Sequence, residues 1–234
     1  MNSTYRIFVC LAASLLCFAS IAKLEAGTIH SEDFEADDGG YIAFVLNPLA
    51  KDMTEVAPWT YGATGLGGSN GWSVDGAGGG PFEQLLRSPK IEVDATDQYI
   101  LEFDHSYNFE PQWDGGVVMV AVNDVFTQVT SWLQNGYNDV MQDGDDWGYA
   151  GDMNNLPTFA PNSGGFVHSV ADLGTLNAGD TIEIRFRGGW DWGFIQEPQP
   201  NWAIDNVSVS VIPEPTTAIL GLLSLLGLLG FRRK

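Results

Sequence analysis

Polar and apolar residues alternate with a period of two through much of the chain. In QYILEFDHSY, Tyr99, Leu101, Phe103 and His105 share one face of an extended segment, and Ile100, Glu102, Asp104 and Ser106 share the other. TIEIRFRG repeats the pattern, with Ile182, Ile184 and Phe186 predicted inward and Glu183, Arg185 and Arg187 outward. From Val117 to Val122, GGVVMVAVND is apolar on both faces, as expected of a central strand in a sandwich. Further strands are expected near Thr28 to Phe34, Leu85 to Val93, Phe126 to Leu133, Phe166 to Asp172 and Trp202 to Val211. No segment carries a convincing amphipathic helical repeat, so the pattern predicts an all-β domain.

The punctuation agrees. GATGLGGSNG and GAGGG read as loops, because glycine supplies the positive φ that tight turns need. LNAGDT reads as a hairpin or corner turn before the strand at Ile182. The segment VMQDGDDWGYAGDMNNLPTFAPNSGG is a long polar insertion with little strand character, and loops of that length are more often functional or mobile than decorative.

The two ends read differently. Arg6 precedes an apolar run from Ile7 to Ala22, and cleavage after Ala22 or after Ala26 would suit a signal peptide over residues 1–26. At the other end, sixteen uncharged residues from Thr216 to Phe231 precede Arg232, Arg233 and Lys234. As a helix this run reaches roughly 24 Å, a short span for a hydrocarbon core of about 30 Å. The order of Pro213, Glu214 and Pro215, then an apolar helix, then a basic terminus resembles the PEP-CTERM sorting signal of bacterial surface proteins, over residues 212–234. That resemblance implies export, transient membrane association through the C-terminal helix, cleavage near the triplet by an exosortase, and a cell-surface or matrix location. The prolines support it, since they lack amide donors and keep the chain extended for a protease.

With the ends set aside, residues 27–211 suffice for one domain with a sizeable core. Cys10 and Cys17 both lie in the leader, so no disulfide or thiol chemistry is expected. Between Gly27 and Ile212 there are five basic and 28 acidic residues, a net charge of −23. Such a surface repels nucleic acid and anionic headgroups and attracts divalent cations; the alternative is that it serves only solubility.

The order of SEDFEADD, LLRSPKIEV, LEFDHSYNFEPQWDGGVVMVAVND, AGDTIEIRFRGG and WAIDNVSVSV resembles the MAM-like jelly rolls that include the choice-of-anchor J domain. The resemblance implies an antiparallel two-sheet jelly-roll sandwich whose first and last strands lie close together. It also implies a structural calcium ion where those strands meet, with Glu32, Asp33, Glu35, Asp104 and Asp205 as candidate ligands. Calcium takes six to eight oxygens, and two or three carboxylates with backbone carbonyls suffice. The alternative is that Asp33 and Asp205 cap turns or pair with Arg185 and Arg187.

Aromatic residues in loops offer a second chemistry. Trp190, Trp192 and Phe194 stand among glycines in GGWDWGFIQEPQPNW, and Trp113, Trp132 and Trp147 sit in or beside other loops. Flat rings with nearby Asp, Asn and Gln suit sugars, whose apolar faces stack while their hydroxyls bond at the edges. Trp190 and Trp192 alternate and are expected on one face; the competing reading has these rings plugging the core. Catalysis has little material: His30, His105 and His168 are the histidines, and His105 reads as a packed core residue. The expectation is therefore a non-catalytic binding or structural protein, with exopolysaccharide as partner; the alternative is a divergent glycoside hydrolase or lyase using two carboxylates.

Overall fold

The computed structural model describes residues 27–48, 58–76, 81–142, 153–193 and 195–212, all within one compact unit, Gly27–Ile212. The leader, the sorting motif Pro213–Glu214–Pro215, the basic terminus Arg232–Lys234, Trp147 and Phe194 lie outside the described residues.

Two antiparallel sheets face each other across an aromatic core. With strands numbered along the chain, the first sheet runs in spatial order β10 (Trp132–Gln134), β13 (Val167–Leu176), β7 (Asp97–Tyr107), β15 (Trp202–Val211), β4 (Gly71–Val74) and β3 (Thr60–Gly62), with β1 (Thr28–Glu32) also on β15. The second runs β2 (Ile42–Pro48), β5 (Phe82–Arg87), β14 (Thr181–Trp190), β8 (Gly115–Val122) and β9 (Val125–Gln128), with β6 (Ile91–Glu92) also on β14. A short ribbon pairs β11 (Asp139–Val140) with β12 (Pro157–Thr158). The first and last strands are neighbours, as expected.

Burial follows the alternation along β7. Tyr99, Leu101, Phe103 and His105 are each fully buried, and Ile100, Glu102, Asp104 and Ser106 are half-buried on the outer side. Phe103 meets Phe186 of the opposite sheet edge-on, with centroids 5.2 Å apart, which ties the two layers together. Each such buried ring contributes roughly 1.5–3 kcal/mol. Val117 to Val122 is buried for two reasons: Val118 and Val120 face the main core, and Val117 packs against Met141 and Met153 on the other side.

Two expectations need correction. The stretch Phe126–Leu133 is not one strand: β9 belongs to the second sheet and β10 to the first, so the chain changes layers between them. LNAGDT takes the corner of its two expected forms, carrying the chain from β13 in the first sheet to β14 in the second. The segment from Val140 to Gly165 is not merely a polar loop, since Met141, Met153, Thr158, Phe159 and Ala160 in it are all at most 1% exposed. Arg187 points outward from β14 as its parity requires, yet it is 5% exposed, because this segment lies over that part of the sheet. Met153 Sδ would stand 2.9 Å from a Cβ on Gly189, which is why glycine serves there. Beneath the cover Arg187 is ion-paired with Glu83, itself 0% exposed.

Candidate functional site

At one end of the sandwich three loops are sewn together by Asn201. Its Oδ1 accepts from Gly76 N (2.7 Å) and Trp190 Nε1 (3.2 Å), and its Nδ2 donates to Asn108 O and Gln196 O (2.8 Å each). At 0% exposure, every hydrogen-bonding position of this amide has to be used, and it is. Asn108 Nδ2 adds a bond to Pro198 O at 3.0 Å. Nothing in the alternation pattern distinguishes Asn201 from any other loop asparagine.

Onto this frame the structure places the expected aromatic residues unequally. Trp190 is not a surface residue: it is the last residue of β14, 1% exposed, stacked on Phe82 at 4.9 Å and 6°. The strand ends there, so the alternation that would put Trp192 on the same face does not continue. Trp192 is 45% exposed. Trp113 is half-buried, and Trp132 packs against Tyr137 and Phe159. Trp113 and Trp192 are brought to the same end, because Asp191 N donates to Asp114 Oδ1 at 3.0 Å and each tryptophan adjoins one partner of that bond.

Three carboxylates accompany them. Asp114 is 1% exposed, its own N–H donating to Glu110 O at 3.0 Å. Burial, with added repulsion from Asp191 and Glu110, pushes its pKa up to about 8. Glu110 is raised by burial and by Asp191, and Asp191 is raised by burial. Asp191 also accepts from Gly193 N at 2.6 Å, which shapes the turn that exposes Trp192.

The five expected calcium ligands divide into separate settings. Asp205 is 1% exposed and accepts from Leu66 N, Ser69 Oγ (2.8 Å each) and Asn206 N (2.7 Å). Glu35 reaches the same loop, accepting from Asn70 N at 2.8 Å. Asp205 Oδ2, Ser69 Oγ and Asn70 O all lie within 2.6 Å of where a Cβ on Gly65 would stand, so this oxygen-rich turn admits only glycine. Glu32 and Asp33 cap turns by accepting from Phe34 N and Glu35 N. Asp104 is held by His168 Nδ1 (2.9 Å) and Asn206 Nδ2 (2.8 Å). Among the described residues no three His, Cys, Asp or Glu are placed to hold a metal ion. Arg185 and Arg187 pair with Glu183 and Glu83, not with Asp33 or Asp205.

His105 beside Ser169 has the composition of a nucleophile–base pair, but its hydrogen bonds run the wrong way. Ser169 Oγ donates to Asn135 O at 2.6 Å, so at 2.8 Å it accepts from His105 Nε2. His105 Nδ1 then accepts from Trp202 Nε1 at 3.2 Å. The imidazole is a neutral Nε2–H tautomer with no lone pair for the serine proton, and burial lowers its pKa to about 3.

Fold and site define an antiparallel β-sandwich with an acidic, tryptophan-bearing loop end. Comparison with family models and with curated protein sequences returned no match. Among solved structures, the chain is similar to the CBM22-1 and GH10 modules of Clostridium thermocellum endo-1,4-beta-D-xylanase 10B, complexed with xylohexaose (10% identity, TM-score 0.45, 81% of this chain and 29% of that one). It thus spans under a third of that protein's length. It is also similar to the K1 cleaved adhesin domain of Lys-gingipain from Porphyromonas gingivalis W83 (15% identity, TM-score 0.42, 80% and 100%). A third is the xylan-binding domain from CBM 22 (12% identity, TM-score 0.39, 80% and 96%). Similarity this remote adds nothing to the functional reading, which rests on the residues above.

Proposed function

We propose that this protein is an exported surface or matrix component whose jelly-roll domain binds carbohydrate without transforming it. The observation that carries the reading is Trp192, a ring 45% exposed at the loop end, flanked by the Asp191 carboxylate and tied to the Trp113 loop. A stacked pyranose would cover the ring while the neighbouring carboxylates accept from its hydroxyls. Trp192→Ala is expected to lower affinity for neutral soluble polysaccharides by about tenfold or more, read as mobility in affinity gels. Unchanged mobility shifts across a panel that retards the wild type would refute the assignment.

A catalytic reading has one observation in its favour, the raised pKa of Asp114, which resembles that of a general acid at neutral pH. Against it, Asp114 is 1% exposed and its Oδ1 accepts the Asp191 N–H, which holds the carboxyl inside the loop end.

Export and processing belong to the same proposal, carried by the order of Pro213–Glu214–Pro215, the apolar run and Arg232–Lys234. Signal peptidase would act at one end and exosortase at the other. Calcium enters as a structural ion: Glu35 and Asp205, with oxygens of the Gly65–Asn70 turn, would hold it and bind the last strand to that turn. Calcium a hundredfold above its Kd is then expected to raise the unfolding midpoint by roughly 5–10 °C over a chelator-treated sample. Identical midpoints would remove the ion from the proposal.

A further inference from the structure

The outer face of the second sheet gathers nearly all of the domain's positive charge. Five Lys and Arg lie between Gly27 and Ile212; Arg87, Arg185 and Arg187 stand on this face, and Lys90 follows β5 at its edge. Arg187 is consumed by Glu83 beneath the covering segment, and Lys90 by Asp124 at 2.6 Å. Arg87 and Arg185 differ from both. They are cross-strand partners on β5 and β14, with side chains 34% and 21% exposed.

Both turn Nε toward one carboxylate, Glu183, at 3.8 Å and 2.8 Å. No other ion pair involves either guanidinium among the described residues. One carboxylate between two guanidiniums leaves a positive surplus, in a domain whose net charge is −23. Each guanidinium is also laid against an aromatic ring: Arg185 Cζ is 3.2 Å from the Phe126 centroid, and Arg87 Cζ is 5.6 Å from that of Phe44. Stacking fixes the plane of a guanidinium and leaves its terminal N–H groups to donate at the edge, the arrangement that receives a carboxylate in two parallel bonds. One exposed apolar side chain flanks the pair: Ile42, 51% exposed and the cross-strand partner of Arg87 on β2.

We propose that Arg87 and Arg185 form a receptor for the carboxylate of a uronic acid carried on an otherwise neutral glycan. The guanidinium edges take the acid group, and Ile42 beside Arg87 offers apolar surface to an adjoining sugar face. Charge favours this occupant over a second copy of the chain, which would bring a further −23 to meet a small local surplus, where a single uronate brings −1. The site lies on a sheet face and not at the Trp192 loop end, so either reading can fail without the other.

The test is calorimetric titration of the whole protein with xylotriose bearing one glucuronate, and with the methyl ester of the same oligosaccharide. The acid is expected to bind, more weakly as NaCl rises, and the ester to bind at least about tenfold more weakly. Arg185→Gln is expected to cost about tenfold, with Glu183 still partnered by Arg87, and the same loss is expected in a Trp192→Ala background, where the loop end no longer contributes. Should Arg185→Gln fail to fold, the more exposed Arg87→Gln is read in its place. Equal binding of acid and ester in the Trp192→Ala background, no binding of the acid, or acid binding insensitive to Arg185→Gln would overturn the proposal. Self-association abolished by Arg185→Gln, without sugar binding, would assign the face to another copy and equally overturn it.

Discussion

Arg187→Met is expected to destabilise the domain by about 3–5 kcal/mol, the cost of leaving a buried charge without its partner. Glu83 is 0% exposed and Arg187 5%, and the two sit under the Met141 and Met153 cover on the second sheet. Methionine matches the length of the arginine stem, so packing is largely kept and the change acts on the Glu83 carboxylate. Replacing both members, Arg187→Met with Glu83→Leu, removes the charge as well as its partner and is expected to recover most of the loss. Urea unfolding of the wild type, the single variant and the double variant measures this directly. A double variant as unstable as the single one, or a single variant as stable as the wild type, would contradict the account.

That ion pair also marks where sequence reading stopped. The alternation in Asp97–Tyr107 was legible because one side of β7 faces the core along its whole length, so parity alone assigns burial. On β14 parity assigned Arg187 correctly to the outer face, but the residues that bury that face come from a segment more than thirty positions earlier in the chain. No local pattern reports them. Trp190 and Trp192 failed for a related reason: the two-residue period holds only while the strand continues, and β14 ends at Trp190. Val125–Gln128 and Trp132–Gln134 are continuous in sequence character, so the layer change between them left no signal. The pairing of Arg87 and Arg185 through Glu183 depends on register between β5 and β14, which composition does not carry. What was legible at the loop end was the kind of residue, aromatic beside acidic; its frame, Asn201, was not.

Asp114→Asn is expected to leave stability unchanged near pH 4 and to raise it progressively toward pH 8, by several kcal/mol in all. The folded pKa of about 8 lies above the ordinary carboxylate value of 3.8, so the folded state holds this proton more tightly than the unfolded chain. Its contribution is complete below pH 3.8 and is lost as pH rises through 8, at about 1.4 kcal/mol per pH unit and roughly 6 kcal/mol over the window. His105 has the opposite sign: its folded pKa of about 3 lies below 6.5, so its contribution is complete above pH 6.5 and is lost as pH falls toward 3. The two slopes oppose each other between pH 3.8 and 6.5, and of the two only the Asp114 slope remains from 6.5 to 8. Asparagine keeps an oxygen for the Asp191 N–H and cannot ionise, so it removes the alkaline decline and uncovers the His105 slope on the acid side. Taking the difference between variant and wild type at each pH cancels the carboxylates that do not interact with Asp114 and leaves Asp114 with its neighbours Glu110 and Asp191. Denaturant unfolding at pH 4, 6 and 8 decides the matter: a gap that widens with pH places a neutral carboxylic acid at the tryptophan loops, and a gap constant with pH rules it out.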